Sequence, residues 1–135
     1  MRPSLCIRTG ALLAGLAVGL GAFAAHAMKE RFSPDLLATF ETGARYHLVH
    51  ALAIVLCGAL GRLGHRTAAP ALAFTVGLGL FSGSLYLRVW LDQKWLGAVT
   101  PFGGVAFLLG WLLLAVRGAR PIAAQEGLVG SPDRA

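Results

Sequence analysis

Two stretches of this chain, Ala68 to Leu87 and Trp95 to Val116, run without a single charged residue. Each is long enough to cross a bilayer as a helix, for which about 20 mostly apolar residues suffice. Neither alternates polar and apolar side chains with the period of two that a barrel strand requires. Inside hydrocarbon only helices and closed barrels satisfy their own backbone, so these stretches can only be membrane helices. The composition of the whole chain is consistent with this, since 56% of its residues are hydrophobic and only 13% charged, against roughly 25% charged in a soluble domain.

Two further stretches qualify less cleanly. The first, about residues 10–27, follows Arg2 and Arg8 and ends in Ala25-His26-Ala27, which is also the pattern of a cleavable signal peptide. The second, about 46–63, carries His47 and His50. Ahead of it Ser33-Pro34-Asp35 reads as a helix start, with a capping hydroxyl, proline at the first position and an acid near the positive dipole end. Leu36, Leu37, Phe40 and Ala44 then share one face, which predicts a short amphipathic helix over 34–44 lying at the interface. The expected fold is all-α: an integral membrane four-helix bundle with spans at about 10–27, 46–63, 68–88 and 95–116. One domain covers residues 1–117, and 118–135, with Gly, Pro and mixed charge but no apolar face, is expected to be a mobile tail.

Basic residues suggest an orientation. With four spans, Arg2, Arg8, Arg62, Arg66, Arg117, Arg120 and Arg134 fall on one side, and Lys29, Arg31, Arg45, Arg88 and Lys94 on the other. Arg45 and Arg88 abut the spans and can pack inside the bundle, so the positive-inside rule puts both termini in the cytoplasm of an inner membrane. The net charge of +6 is mainly this topological signal, and it also favours anionic lipid headgroups. The arginines are scattered beside spans, with no basic helix or aromatic-basic platform, so no nucleic acid partner is expected. Cys6 and Cys57 both fall toward the cytoplasmic side, where thiols stay reduced.

Glycine spacing predicts where helices meet. Gly15 with Gly19 and Gly79 with Gly83 are pairs one turn apart that would admit a neighbouring backbone. Chemistry-bearing residues gather at the non-cytoplasmic edge: His26 closes the first span, Glu41, Arg45, Tyr46, His47 and His50 enter the second, Ser82, Ser84 and Tyr86 end the third, and Thr100-Pro101 begin the fourth. Glu41 and Arg45 stand four apart in the order that favours an ion pair. Polar groups at membrane depth usually face the bundle interior, as structural hydrogen bonds or as ligands. The histidines could also hold a metal or haem, although interhelical hydrogen bonding is the simpler role. Trp90, Trp95 and Trp111 read as interfacial anchors or lipid-facing bulk, and His65 as a loop residue.

The segments "GAFAAHAMK", "FETGARYHLVHALA", "LFSGSLYL" and "TPFGGVAFLLGW", in this order and spacing, resemble the small integral-membrane family catalogued as domain of unknown function 423, to which the eukaryotic transmembrane protein 256 is also similar. Arg45, Tyr46, His50, Ser82, Gly83, Ser84, Tyr86, Thr100, Pro101, Gly103 and Gly104 match its pattern. The chain departs from it at Ala24 and Ala27, where glycines are usual, and at His47, where a glutamine often stands. The resemblance implies that the first segment is a retained membrane helix with His26 in its signature, and it adds Gly103 and Gly104 to the glycines expected in packing.

The resemblance implies no activity. No nucleophile-base pair, phosphate loop, paired catalytic acids or cofactor motif is present. The reading is a non-enzymatic accessory, packing or small-molecule-binding component, with no cofactor. Its partners would be the bilayer and a membrane-protein partner or a second copy of the chain. The alternative is a small proton-coupled transporter or carrier using His26, Glu41, Arg45 and His50.

Overall fold

Proline opens three of the four long helices. In the computed structural model, which describes residues 1–118, α1 spans Pro3–Phe23, α2 Pro34–Arg62, α3 Ala68–Leu91 and α4 Thr100–Leu113. Proline lies in the first turn of α1, α2 and α4, where its missing N–H costs nothing and its fixed φ suits the helix. α1 continues through a π turn at Ala24–Met28, and α4 through one at Leu114–Gly118. A 3₁₀ turn at Lys94–Ala98 links α3 to α4. Four segments, Pro3–Met28, Pro34–Arg62, Ala68–Leu91 and Lys94–Gly118, are long and apolar enough to cross a membrane. The protein is therefore an all-α membrane bundle.

Two boundaries differ from the sequence reading. The first span begins at Pro3 rather than near residue 10, because Pro3 starts the helix and the backbone bond from Cys6 to Arg2 closes its first turn. Arg8 then sits within α1, exposed and able to extend its charge toward the membrane edge. The helix expected over 34–44 is not separate from the second span: α2 is one helix of 29 residues. Ser33 caps it through Leu36 N (3.4 Å), and Phe40, Gly43, Ala44, His47 and His50 continue a single buried face across the expected break. At about 1.5 Å per residue such a helix is longer than the roughly 30 Å of hydrocarbon. Its first turns must tilt or project into the headgroup layer. The tail expected over 118–135 lies outside the described residues, apart from Gly118.

The helices pack in chain order, α1 on α2, α2 on α3 and α3 on α4. Half of the α2 span window is buried and 44% of the α3 window, against 17% for the first span and 22% for the fourth. α2 and α3 therefore form the centre, and α1 and α4 flank it. The main core joins Cys6, Ala51, Ile54, Cys57, Phe74 and Phe107, and a second, smaller one joins Ala24, Met28, Phe40 and Val89.

Glycines do set the close contacts, but mostly not those expected. A methyl group added at Gly10 would meet Ala51 O at 2.8 Å, and one at Gly58 would meet Pro3 O at 2.8 Å, so these two residues bring α1 and α2 together. Between α3 and α4, Gly77 lies under Phe107, Gly110 under Phe74, and Gly103 against the backbone of Phe81. Gly104 makes only ordinary contact with the Phe81 ring. Gly15, Gly19, Gly79 and Gly83 have nothing within 4 Å of the position a methyl would take. A four-residue spacing places two glycines on one face but does not say which face meets the neighbour.

α2 ends in a Schellman turn. Gly64, at φ 85°, donates to Gly61 O and His65 N donates to Leu60 O at 3.1 Å, the pairing that satisfies the last carbonyls of a helix. This turn fixes His65, Arg66 and Thr67 beside the start of α1 and the end of α4.

Candidate functional site

The most elaborate polar arrangement lies between α2, α3 and α4 and is centred on His50. Its Nδ1 donates to Tyr46 O, one turn earlier in α2, at 2.9 Å. An indole N–H can only donate, so the bond between Trp111 Nε1 and His50 Nε2 at 3.3 Å makes Nε2 the acceptor. The two bonds together select the Nδ1–H tautomer. The imidazole ring stacks on Phe107 with centroids 3.4 Å apart and planes 9° from parallel. Tyr46 packs on Phe81 at 4.6 Å, and Phe74 meets Trp111 edge-on at 4.9 Å. Such pairs add about 0.5–1.5 kcal/mol each beyond burial, and here they join three helices.

A second unit lies nearer the start of α2. His47 Nδ1 is hydrogen-bonded to Tyr86 OH at 3.2 Å, and the Tyr86 ring packs on Phe40 at 4.8 Å and over Gly43. His47 Nε2 is buried without a hydrogen-bond partner, and so is Ser82 Oγ. A third link joins α3 to the first residue of α4. Ser84 Oγ donates to Phe81 O at 2.9 Å, so in the 2.9 Å contact between Ser84 and Thr100 the Thr100 hydroxyl is the donor.

The structure thus brings together Tyr46 with His50, Tyr86 with His47, and Ser84 with Thr100. It does not gather the remaining expected members. His26 stands exposed in the π turn after α1, and Glu41 and Arg45 are exposed on α2. No ion pair forms among the described residues, so the expected Glu41–Arg45 pair is absent. Both side chains point away from the packed face of α2, and an exposed pair gains little.

Trp111 is 42% exposed, in keeping with the lipid-facing alternative, but its indole N–H serves His50 rather than an interface. Phe74, Phe81 and Phe107 complete the site, and of these the sequence marks only Phe107, which stands four residues from Trp111 on one face of α4. Among the described residues, no group of three or more His, Cys, Asp or Glu side chains converges to hold a metal ion.

Comparison with known proteins agrees with this membrane fold. The family described as "Protein of unknown function (DUF423)" matches residues 20–104. The UPF0382 membrane protein YwdK of Bacillus subtilis (strain 168) is 43% identical over 111 residues, covering 79% of this chain and 89% of the relative. The UPF0382 membrane protein SAB0533 of Staphylococcus aureus (strain bovine RF122 / ET3-1) is 38% identical over 113 residues, covering 83% of this chain and 93% of the relative. No solved structure matches the chain. The four apolar helices, the matched segment and these near full-length relatives agree, and the chain belongs to the DUF423 family of membrane proteins.

Proposed function

We propose that this chain is a non-enzymatic, multi-pass component of the inner (plasma) membrane that acts through packing, as an accessory subunit of a larger membrane assembly or of its own oligomer. The observation that carries this reading is the saturation of His50. Both ring nitrogens are taken by protein groups and one ring face is covered by Phe107, so the most connected polar residue acts as a joint between helices and keeps no free ligand atom. The outer helices support the same reading. Most of α1 and α4 is left to lipid or to a partner, and Gly15 and Gly19 lie on the exposed side of α1, where a partner helix could approach closely.

A proton-coupled carrier would need titratable groups in sequence through the bundle. His26 and Glu41 are exposed and make no hydrogen bond to His50, which weakens that alternative. A small-molecule-binding role keeps one supporting observation, the partnerless His47 Nε2 and Ser82 Oγ. Crosslinking and co-purification from native membranes test the proposal. One reproducible membrane partner, or a defined homo-oligomer, is expected, together with proteoliposomes whose proton flux equals that of empty vesicles. Gradient-driven flux that disappears in His50→Ala would overturn it.

A further inference from the structure

The end of the bundle opposite the exposed Glu41 and Arg45 holds a cleft of about 750 Å³, walled by the α2–α3 turn, the start of α3 and the ends of α1 and α4. We propose that this cleft is a binding site for a phosphate-bearing anion, occupied in the membrane by the headgroup of an anionic phospholipid.

Charge is the first argument. Arg66 and Arg117 reach the cleft from different segments, one from the α2–α3 turn and one from the π turn after α4, and among the described residues no carboxylate lines it. The acids among the described residues, Glu30, Asp35, Glu41 and Asp92, all lie elsewhere, in the turns and helix ends of the other side. Two guanidinium forks facing one cavity, with no counter-ion among the described residues, suit a multivalent acceptor such as phosphate.

The backbone supplies the second argument. Thr67 stands at the cap position of α3, a helix of 24 residues, but its side chain makes no cap bond. Its hydroxyl donates instead to Cys57 O at 2.7 Å, across to α2. The first-turn N–H groups of Ala68 and Ala69, both lining residues of the cleft, are thus left without a side-chain cap at the positive end of the helix dipole, where phosphate binds well. His65, held there by the Schellman turn, also lines the cleft.

A lipid fits better than a free ion because of what adjoins the cleft. Val116, itself a lining residue, is 60% exposed, and Leu112 one turn below it is also 60% exposed. An acyl chain leaving the headgroup would run down this face of α4 while the phosphate stayed between the arginines.

The test uses the full chain in nanodiscs of phosphatidylcholine with or without phosphatidylglycerol, followed by native mass spectrometry of retained lipid, with inorganic phosphate as a separate competitor. The wild type should retain phosphatidylglycerol at least about tenfold over phosphatidylcholine, and Arg66→Gln/Arg117→Gln should lose most of that preference. Arg66→Lys/Arg117→Lys keeps the charge but not the fork, so it should keep an intermediate preference and also guards against misfolding of the Gln pair. Arg2→Gln/Arg62→Gln, at the same end but with neither side chain lining the cleft, should bind as the wild type. Displacement of the lipid by millimolar phosphate alone would keep the phosphate site but assign it to the free ion. Equal loss in both Gln pairs, or no loss in the Arg66/Arg117 pair, would overturn the proposal.

Discussion

The indole of Trp111 donates its single proton to His50 Nε2 across 3.3 Å, which fastens α4 to α2 although the two helices are not consecutive. The stability this joint provides has two separable parts, a hydrogen bond and a stacked ring. Trp111→Phe removes the donor together with part of the ring that packs on Phe74, and keeps an aromatic ring at the position. Membrane hydrogen bonds average about 0.6 kcal/mol, and a buried acceptor left without its donor costs somewhat more, so the expected loss is about 0.5–1.5 kcal/mol. His50→Ala also removes the ring stacked on Phe107, and a large-to-small change of this kind costs about 2–5 kcal/mol. Reversible unfolding in mixed micelles should rank His50→Ala well below Trp111→Phe. A reversed order would mean that the stack contributes little.

Glycine substitutions separate the packed faces from the open ones. Gly10→Ala and Gly103→Ala place a methyl against backbone atoms of a neighbouring helix, Ala51 O and Val55 N in one case and Phe81 in the other. Backbone cannot swing aside as a side chain can, so each should cost about 1–3 kcal/mol. Gly15→Ala, Gly19→Ala and Gly79→Ala meet open space and should be neutral or gain up to about 1 kcal/mol from helix propensity. Thermal unfolding of the purified monomer in detergent measures all five. A destabilised Gly19→Ala under those conditions would show that the outer face of α1 is packed after all.

These two sets of residues also show what could be read without coordinates. The four helices were legible because hydropathy acts over a whole span, and the start of α2 because Ser33, Pro34 and Asp35 act on their own first turn. The rotation of each helix was not legible. Gly15 and Gly19 have a packing spacing but look outward, while Gly10 and Gly58 meet neighbours without any such motif. Trp111 reaches His50, 61 positions away, only because Gly103 and Gly110 let α4 lie close against α3. The continuity of α2 through Arg45 and Tyr46 was hidden for another reason. An amphipathic face looks the same whether the helix lies in the interface or stands as the extension of a span.

Glu41 and Arg45 are both exposed and form no pair, so their effects should be independent. Glu41→Ala and Arg45→Ala are each expected to change stability by less than about 0.5 kcal/mol. The double substitution should equal the sum of the singles within about 0.3–0.5 kcal/mol. Chemical denaturation of the four proteins of this cycle gives the coupling directly. A coupling of more than 1 kcal/mol would mean that the pair forms in the bilayer.

Ser82 and Ser84 are neighbours on α3 with opposite expectations. Ser84 links Phe81 O and Thr100, so Ser84→Ala should loosen the start of α4 by about 0.5–1.5 kcal/mol. Ser82 Oγ is buried with no partner, and removing a desolvated, unpaired hydroxyl should leave stability unchanged or raise it. If Ser82→Ala is the more damaging of the two, a bound water or small molecule occupies that position.

The last prediction concerns orientation. The turn between α1 and α2 contains Glu30, and the turn between α2 and α3 contains Leu63, both exposed. They lie at opposite ends of α2, so a single pair of probes reads its direction. Arg2, Arg62, Arg66 and Arg117 belong to the end that contains Leu63, which the positive-inside rule assigns to the cytoplasm. Native Cys6 and Cys57 are buried and should stay unlabelled by a bulky reagent. In intact cells a membrane-impermeant maleimide should therefore modify Glu30→Cys and leave Leu63→Cys untouched until the membrane is opened. α1 must also be present for this result, because Gly58 and Cys57 on α2 are covered by residues of α1. Its loss would uncover Cys57, which lies toward the Leu63 end, and the parent protein would then react once the membrane is opened. Labelling of Leu63→Cys but not Glu30→Cys from outside would invert the topology. The exposed arginines at the Glu41 end, Arg31 and Arg45, would then be the ones the translocation machinery counts.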